Sequence, residues 1–471
     1  MRRSLMVVAA MTAPILASVV MSATANSAVL EATASSAAQA SLASDAAVKS
    51  VSCAPDGDCA AGGQYVNPSG HALAFALTER NGQWGTGIEV PGLAALSPRS
   101  ATINSVSCAP GGCAAGGTYQ GRAGFRHAFM TNEKNGRWSR LVTVFSARTA
   151  PSALAGVGSV SCSGPGNCAA GGGMPAFVVS EVNGRWGRAH QFGATGKNSR
   201  AEVSCTSAGN CSASWKSFVA RERNGRWSKP MAVPGLSALG TGADITSLSC
   251  TAAANCVVGG TYDSRSGIEV FVASKRNWRW GRAIEIPGFT ALNQEGYGLL
   301  ASVSCVSAGN CVAGGSYAQP ADFAGGVYEP FVASERNGRW GKAIEVPGIP
   351  PAGSTVCQPD SASCVAGQVS SVACARGGIC AVGGWYDTPA ISGTVAFVAT
   401  YKNGLWTNAT QVPGLAALDT AKNSAVRSVS CTLTGHCAGG GSYSNPGGLP
   451  AFVVDENNGT WGQVQTVRFH S

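Results

Sequence analysis

Short stretches of the chain alternate polar and apolar side chains with a period of two, as in Ser50-Val51-Ser52-Cys53, Ser105-Val106-Ser107-Cys108 and Ser302-Val303-Ser304-Cys305. This period predicts strands buried on one face. Each stretch leads through a tight turn, such as Val306 to Asn310, into a second segment of the form Cys-Val-Ala-Gly-Gly-x-Tyr. A third segment, Phe-Val-Ala-Ser-Glu or a variant, is β-branched and aromatic, as strands prefer. Asn-Gly follows in seven of eight copies, at Asn81, Asn135, Asn183, Asn224, Asn337, Asn403 and Asn458. This dipeptide predicts a two-residue hairpin, because both central positions of a type I′ turn need φ > 0. The fifth copy has Asn277-Trp278 and is expected to turn less readily. A fourth strand carries a tryptophan and often ends at Pro-Gly, which removes a donor and admits positive φ.

The four-strand unit recurs eight times, with starts 43 to 69 residues apart. Its tryptophans are Trp84, Trp138, Trp186, Trp227, Trp280, Trp340, Trp406 and Trp461. One phenylalanine also recurs, at Phe75, Phe129, Phe177, Phe218, Phe271, Phe331, Phe397 and Phe452. Repeats of about 40–50 residues with four strands each predict an all-β fold: an eight-repeat β-propeller of four-stranded antiparallel blades. Gly-Gly in the second strand meets the need for small residues near the axis, and the aromatics fill the space between blades. A β-solenoid or a string of small modules is the rival architecture. The first strand opens unit one and the fourth closes unit eight. Ring closure then lacks a shared-strand latch unless residues 26–49 supply a strand.

Each unit places two cysteines at opposite ends of its first hairpin. Opposed antiparallel residues lie within disulfide range, which predicts one bridge per blade. The pairs are Cys53–Cys59, Cys108–Cys113, Cys162–Cys168, Cys205–Cys211, Cys250–Cys256, Cys305–Cys311, Cys374–Cys380 and Cys431–Cys437. A ninth pair, Cys357–Cys364, falls in an insertion at 350–371 before blade seven, and uses the last of 18 cysteines. The insertion reads as a stapled contact loop or as a decayed repeat. Zinc binding fits less well, since its ligands usually stand two to four residues apart and converge in fours. No metal and no cofactor is expected.

The leader fits export. Arg2 and Arg3 precede an apolar stretch from Leu5 to Val20 and a small-x-small site at Ala23-Thr24-Ala25. Residues 1–25 therefore read as a signal peptide, 26–49 as an Ala/Ser-rich propeptide or tether, and 50–471 as the propeller. The expected location is extracellular, as paired cysteines require. Loss of the leader takes the formal charge from +9 to +7, a mild excess with no lysine or arginine block. No nucleic-acid or membrane partner is expected, and the protein is expected to be a monomer. Glycine and proline fill 85 of 471 positions. A globular apolar fraction of 45% excludes disorder, and the glycines lack the three-residue period of collagen.

Catalytic patterns are scarce. The five histidines, His71, His127, His190, His436 and His470, form no His-Glu-x-x-His, and no nucleophile elbow or phosphate loop occurs. With every cysteine paired, no thiolate nucleophile remains. The chain is therefore not expected to be an enzyme; a glycosidase-type hydrolase with acids scattered over blades, such as Asp263, Asp322, Glu329 and Asp387, is the alternative. Arg137, Arg185, Arg226, Arg279 and Arg339 flank the hairpin turns as outer-edge charges that oppose edge aggregation. One candidate binding set follows Gly-Gly: Tyr65, Tyr119, Tyr262, Tyr317, Tyr386 and Tyr443. At the ends of second strands they form an arc on one face, suited to sugars or proteins, or else they pack between blades.

The leader, the Gly/Ala-rich repeats and the cysteine pair in each blade resemble secreted β-propellers of high-GC Gram-positive bacteria, and within them the dispase autolysis-inducing group of streptomycetes. That resemblance implies an extracellular propeller that binds a metalloprotease, promotes its self-digestion and serves as a glutamine donor for transglutaminase. The expected function is non-catalytic binding of another extracellular protein, a protease among the candidates. A carbohydrate-binding lectin is the second reading.

Overall fold

The computed structural model describes residues 40–41, 45–146, 155–173, 175–196, 199–320, 327–350, 367–375, 378–388, 391–432, 434–457 and 459–470. The leader at 1–25, Cys357–Cys364, most of the insertion at 350–371, Asp322 and Asn458 lie outside the described residues.

Eight sheets of one topology follow each other in the chain, with strands added from inside outward in chain order. In blade 1 these are Ala46–Cys53, Cys59–Val66, Ala72–Arg80 and an outer strand in two pieces, Gln83–Trp84 and Ile88–Glu89. Both outer pieces pair with the third strand, so the outer strand is interrupted rather than continuous up to Pro-Gly. The expected hairpin turn is present: Asn81 has φ 52° and Gly82 φ 75°. Asn277-Trp278 adopts the same turn, at φ 47° and 71°. There the Trp278 amide bonds the Ala254 carbonyl (3.2 Å), and Lys275 and Arg221 lie 5.3 and 5.9 Å from its ring. These contacts hold a side chain in a backbone region that favours glycine.

The cysteines of every blade face each other directly, for example Cys53 with Cys59, and the eight blade disulfides form with Cα atoms 3.9–4.0 Å apart. The opposed register is the non-hydrogen-bonded one, which leaves the first strand's Val and Cys amides pointing away from the second strand. An inner strand is an exposed edge unless something caps it. Here the serines of Ser-x-Ser-Cys do so. The Oγ of Ser50 accepts from Val106 N (2.9 Å) and that of Ser52 from Cys108 N (2.9 Å) in the next blade. The same pair of bonds passes from blade to blade around the axis. It crosses from blade 8 to blade 1 through Ser428 to Val51 N and Ser430 to Cys53 N (3.0 and 2.9 Å). Two positions in this girdle lack a serine: Glu202 in blade 4 and Ala373 in blade 7.

The first strand also bulges by one residue in seven blades, at Lys49 in blade 1 and Asn104 in blade 2. The bulge explains Gly-Gly. A Cβ on Gly63 would lie 1.8 Å from the Ala47 carbonyl oxygen that the bulge pushes inward, and one on Gly62 would lie 2.7 Å from Ile103 of the next blade. Blade 4 lacks this bulge and Gly-Gly: from Glu202↔Ser214 to Cys205↔Cys211 the register is unbroken, and fully buried Trp215 occupies the second glycine's place.

The apolar core is divided among the seams. Each hydrophobic cluster joins neighbouring blades, such as Leu93, Ile103 and Phe129 of blades 1 and 2. Seven of the eight recurring phenylalanines are fully buried. After Pro-Gly, Leu93, Leu236, Phe289 and Leu415 enter the seams at 0–2% exposure. Phe469 fills the last seam, stacked on Tyr65 (4.8 Å) and edge-on to Phe75 (5.0 Å). A latch exists as well: Ala40–Ser41 pairs antiparallel with Phe469–His470, and the first inner strand begins at Ala46, inside the stretch read as a tether.

Candidate binding surfaces of the ring

The six tyrosines stand at the loop end of their second strands, where the register places them. Tyr119, Tyr262, Tyr317 and Tyr443 are buried, at 0–7% exposure, and Tyr65 and Tyr386 are half-buried. Five of the hydroxyls turn toward the outer strand of their own blade: Tyr65 to Glu89 (3.2 Å), Tyr119 to Thr143 (3.0 Å), Tyr262 to Glu285 (3.1 Å), Tyr317 to Glu345 (2.9 Å) and Tyr443 to Thr466 (3.0 Å). Burial first, then Glu89, pushes the Tyr65 hydroxyl up to about 12. The rings thus cross the blade rather than line up toward solvent. Of the scattered acids, Asp263 is exposed, Glu329 is buried, and burial pushes Asp387 up to about 6.

A set that sequence reasoning missed lies at the turn end. Glu79, Glu133, Glu181, Glu222, Glu335 and Glu456 sit across from the outer-strand tryptophans, at 0–6% exposure. Each stands two positions before the Asn of an Asn-Gly pair. Glu133 and Glu456 accept from the amides of Gly136 and Gly459, so the carboxylate caps its own turn. The previous blade reaches across: Arg80 to Glu133 (3.1 Å) and Arg276 to Glu335 (2.7 Å). One oxygen each of Glu79, Glu181, Glu222, Glu335 and Glu456 has no partner. Burial raises Glu79, Glu181, Glu222 and Glu456 above the usual carboxylate range. A glutamate at the same place in six repeats was the available signal.

The same end holds a cavity of about 740 Å³ across blades 5 to 7, lined by Asn255, Asn310, Glu335, Arg336, Tyr401 and Asn403. Arg336 Nε donates to the Tyr401 hydroxyl at 2.7 Å across the seam where the insertion enters the chain. Cys59, Glu79 and His436 bring potential ligand atoms within 4.8 Å of one another. The Cys59 sulfur is bonded to Cys53, however, which leaves two groups where zinc takes three or four.

Along the axis, Lys49 and Arg427 occupy bulge positions of neighbouring inner strands. Burial, then Arg427, lowers Lys49, and its ammonium donates to Gln64 (3.1 Å). Three blades on from Lys49, burial pushes Glu202 up to about 7, against hydrogen bonding from Ser159 and the charge of Arg200.

No protein-family model and no curated protein matches the chain. Among solved structures it is similar to Chaetomium thermophilum Sqt1 bound to the N-terminus of a ribosomal protein, at 10% identity and TM-score 0.39, over 91% of this chain and 98% of that one. It is also similar to an ulvan lyase, at 11% identity and TM-score 0.41, over 89% and 98%. A third is the fucose-recognising six-bladed β-propeller lectin of Aleuria aurantia, at 10% identity and TM-score 0.35, over 77% and 94%. Likeness at this level carries no inference about ligand or activity.

Proposed function

We propose that the chain is a secreted, non-catalytic propeller that binds another extracellular protein. The observation that supports this reading is the contrast between frame and loops. The frame repeats in all blades, with disulfides, and its glutamates and tyrosines are committed to seams and turns. The loops that follow the second strands differ from blade to blade, from Asn67–His71 in blade 1 to Ser264–Gly267 in blade 5. Variable loops on a rigid scaffold are the usual place for recognition. A secreted protease is the partner class proposed first, with modulation of its self-digestion as the consequence. Eight disulfides suit an oxidising compartment, and among the described residues no helix is long and apolar enough to cross a membrane.

The test is a pull-down from culture supernatant with the mature protein, read by mass spectrometry. A recovered protease whose autolysis rate changes on adding the propeller is the expected result. Turnover of a glycoside or ester by the purified protein, abolished by one carboxylate substitution, would overturn it. A lectin role has narrower support, since Tyr65 and Tyr386 are the tyrosines with ring surface left to offer; a glycan-array hit lost in Tyr65→Ala and Tyr386→Ala is its test.

A further inference from the structure

The formal charge of the chain is not spread evenly around the ring. Residues 100–349, which make blades 2 to 6, hold 23 Lys and Arg against 13 Asp and Glu, a net +10. The rest holds 10 against 11, a net −1. The surface contrast is larger still, because Glu133, Glu181, Glu222, Glu269, Glu329 and Glu335 are buried.

The excess is concentrated on the outer strands. In each of blades 2 to 6, one cation stands just before the outer tryptophan and another two residues after it, as at Arg137 and Arg140 or Arg279 and Arg282. All ten side chains are exposed, and eight are arginine. None belongs to either ion pair found among the described residues; those use Arg80 and Arg276. Blades 1, 7 and 8 have Gln83 and Thr86, Leu405 and Asn408, and Thr460 and Gln463 at the same two places. Protection of an outer edge against aggregation would call for charge on all eight blades. Confinement to five consecutive blades instead makes one continuous basic arc of the rim. In sequence the pairs are some 50 residues apart and form no run; the ring brings them together.

We propose that this arc is a docking surface for an extended anionic polysaccharide, a chain carrying sulfate or carboxylate groups along its length. Arginine suits these oxyanions through its planar pair of donors, and two cations per blade present a repeating ladder to a repeating polymer. Nucleic acid fits less well. Single strands are held by stacking on rows of exposed rings, whereas the outer-strand tryptophans of these blades are buried or half-buried and, among the described tryptophans, Trp278 alone is exposed, at 54%. The proposal is independent of the protein partner proposed above, which involves the loop end of the blades.

Heparin is the probe. The mature protein is eluted from immobilised heparin by NaCl, and binding in solution is followed as a function of salt. The expected result is retention with a steep log–log salt dependence, as counterions are released. Replacing Arg185, Arg188, Arg226 and Lys229 by Gln is expected to weaken binding at least tenfold at 0.15 M salt and to flatten the slope. A control with the same charge change off the arc, Arg99, Lys402, Lys422 and Arg468 to Gln, is expected to keep at least half the affinity. Lys422 is half-buried and the other seven side chains are exposed, and circular dichroism checks the fold of each variant. Equal loss in both variants would show net charge alone at work and overturn the proposal. So would failure of the wild type to bind, or tighter binding of duplex DNA than of heparin at equal salt.

Discussion

The serine girdle makes the sharpest prediction about stability. Ser50→Ala removes the acceptor of the Val106 amide, a bond of 2.9 Å in a buried site. Val106 is 6% exposed and its amide points away from its own sheet, so no backbone carbonyl replaces the hydroxyl. Leaving a buried donor unpaired costs about 1–3 kcal/mol. At ~1.36 kcal/mol per decade, local exchange of the Val106 amide is expected to accelerate roughly 5- to 160-fold. The whole-protein thermal midpoint is a blunter gauge. With an unfolding entropy of ~2.1 cal/mol/K per residue, a ring this long loses only about 1–3 °C. Hydrogen exchange resolved at Val106 is therefore the assay. The converse change exists in the same molecule. Ala373 stands where a serine would cap Cys431, and Ala373→Ser is expected to slow exchange there about 2- to 13-fold, for a net bond of ~0.5–1.5 kcal/mol. Unchanged exchange at Val106 in Ser50→Ala, together with unchanged exchange at Cys431 in Ala373→Ser, would refute the girdle as a source of stability.

Other expectations concern acid, glycine, disulfides and the closing seam. Burial raises Glu79, Glu181, Glu222 and Glu456, so the native state holds their protons more tightly than the unfolded chain, where Glu titrates near ~4.3. Their stabilisation is complete below that value and is lost as pH rises through the native values. The thermal midpoint should thus rise on going from pH 7 to pH 5, and Glu181→Gln should flatten the profile; a midpoint independent of pH counts against the buried ring. Gly315→Ala sets a Cβ 1.8 Å from the Leu299 carbonyl and should cost several kcal/mol, seen as loss of folded yield. Removing one bridge by Cys162→Ala and Cys168→Ala opens a loop with sequence separation 6 and should cost about 2 kcal/mol in chemical denaturation. Phe469→Ala empties a site that is 5% exposed and should cost about 3–5 kcal/mol, with exchange rising first in blades 1 and 8.

What could be read in advance follows from the range over which each determinant acts. Asn-Gly turns, period-two strands and opposed cysteines are local, and the repeat count follows from them; among the described residues all are found as expected. The inner-strand bulge has no residue signature of its own. It shows in sequence only through its consequence, the glycine across from the extra carbonyl, and blade 4 loses both together. The glutamate before six of the turns is legible as a repeat but not as a buried group, because burial depends on the tryptophan opposite and the blade before. The tyrosines' register was legible and their orientation was not: an outer-strand acceptor such as Glu345 lies 28 residues from Tyr317. The basic arc is the extreme case, since no window of the chain shows it and only stacking the repeats reveals that blades 1, 7 and 8 depart from the pattern.

The latch fixes the order in which the molecule can be completed. Blade 1 is the first to leave the ribosome, yet its inner strand waits for Ser428 and Ser430, 377 residues later, and its seam is filled only by Phe469 near the end of the chain. Until then the growing chain is an open arc whose two end blades each expose an apolar face and whose first blade keeps an uncapped inner edge. Both are surfaces on which chains stick to each other. The blade disulfides span only five or six residues, so each can close within its own hairpin as that blade emerges, without reference to its neighbours. Local staples thus hold each unit while the distant partner of the first is still being made.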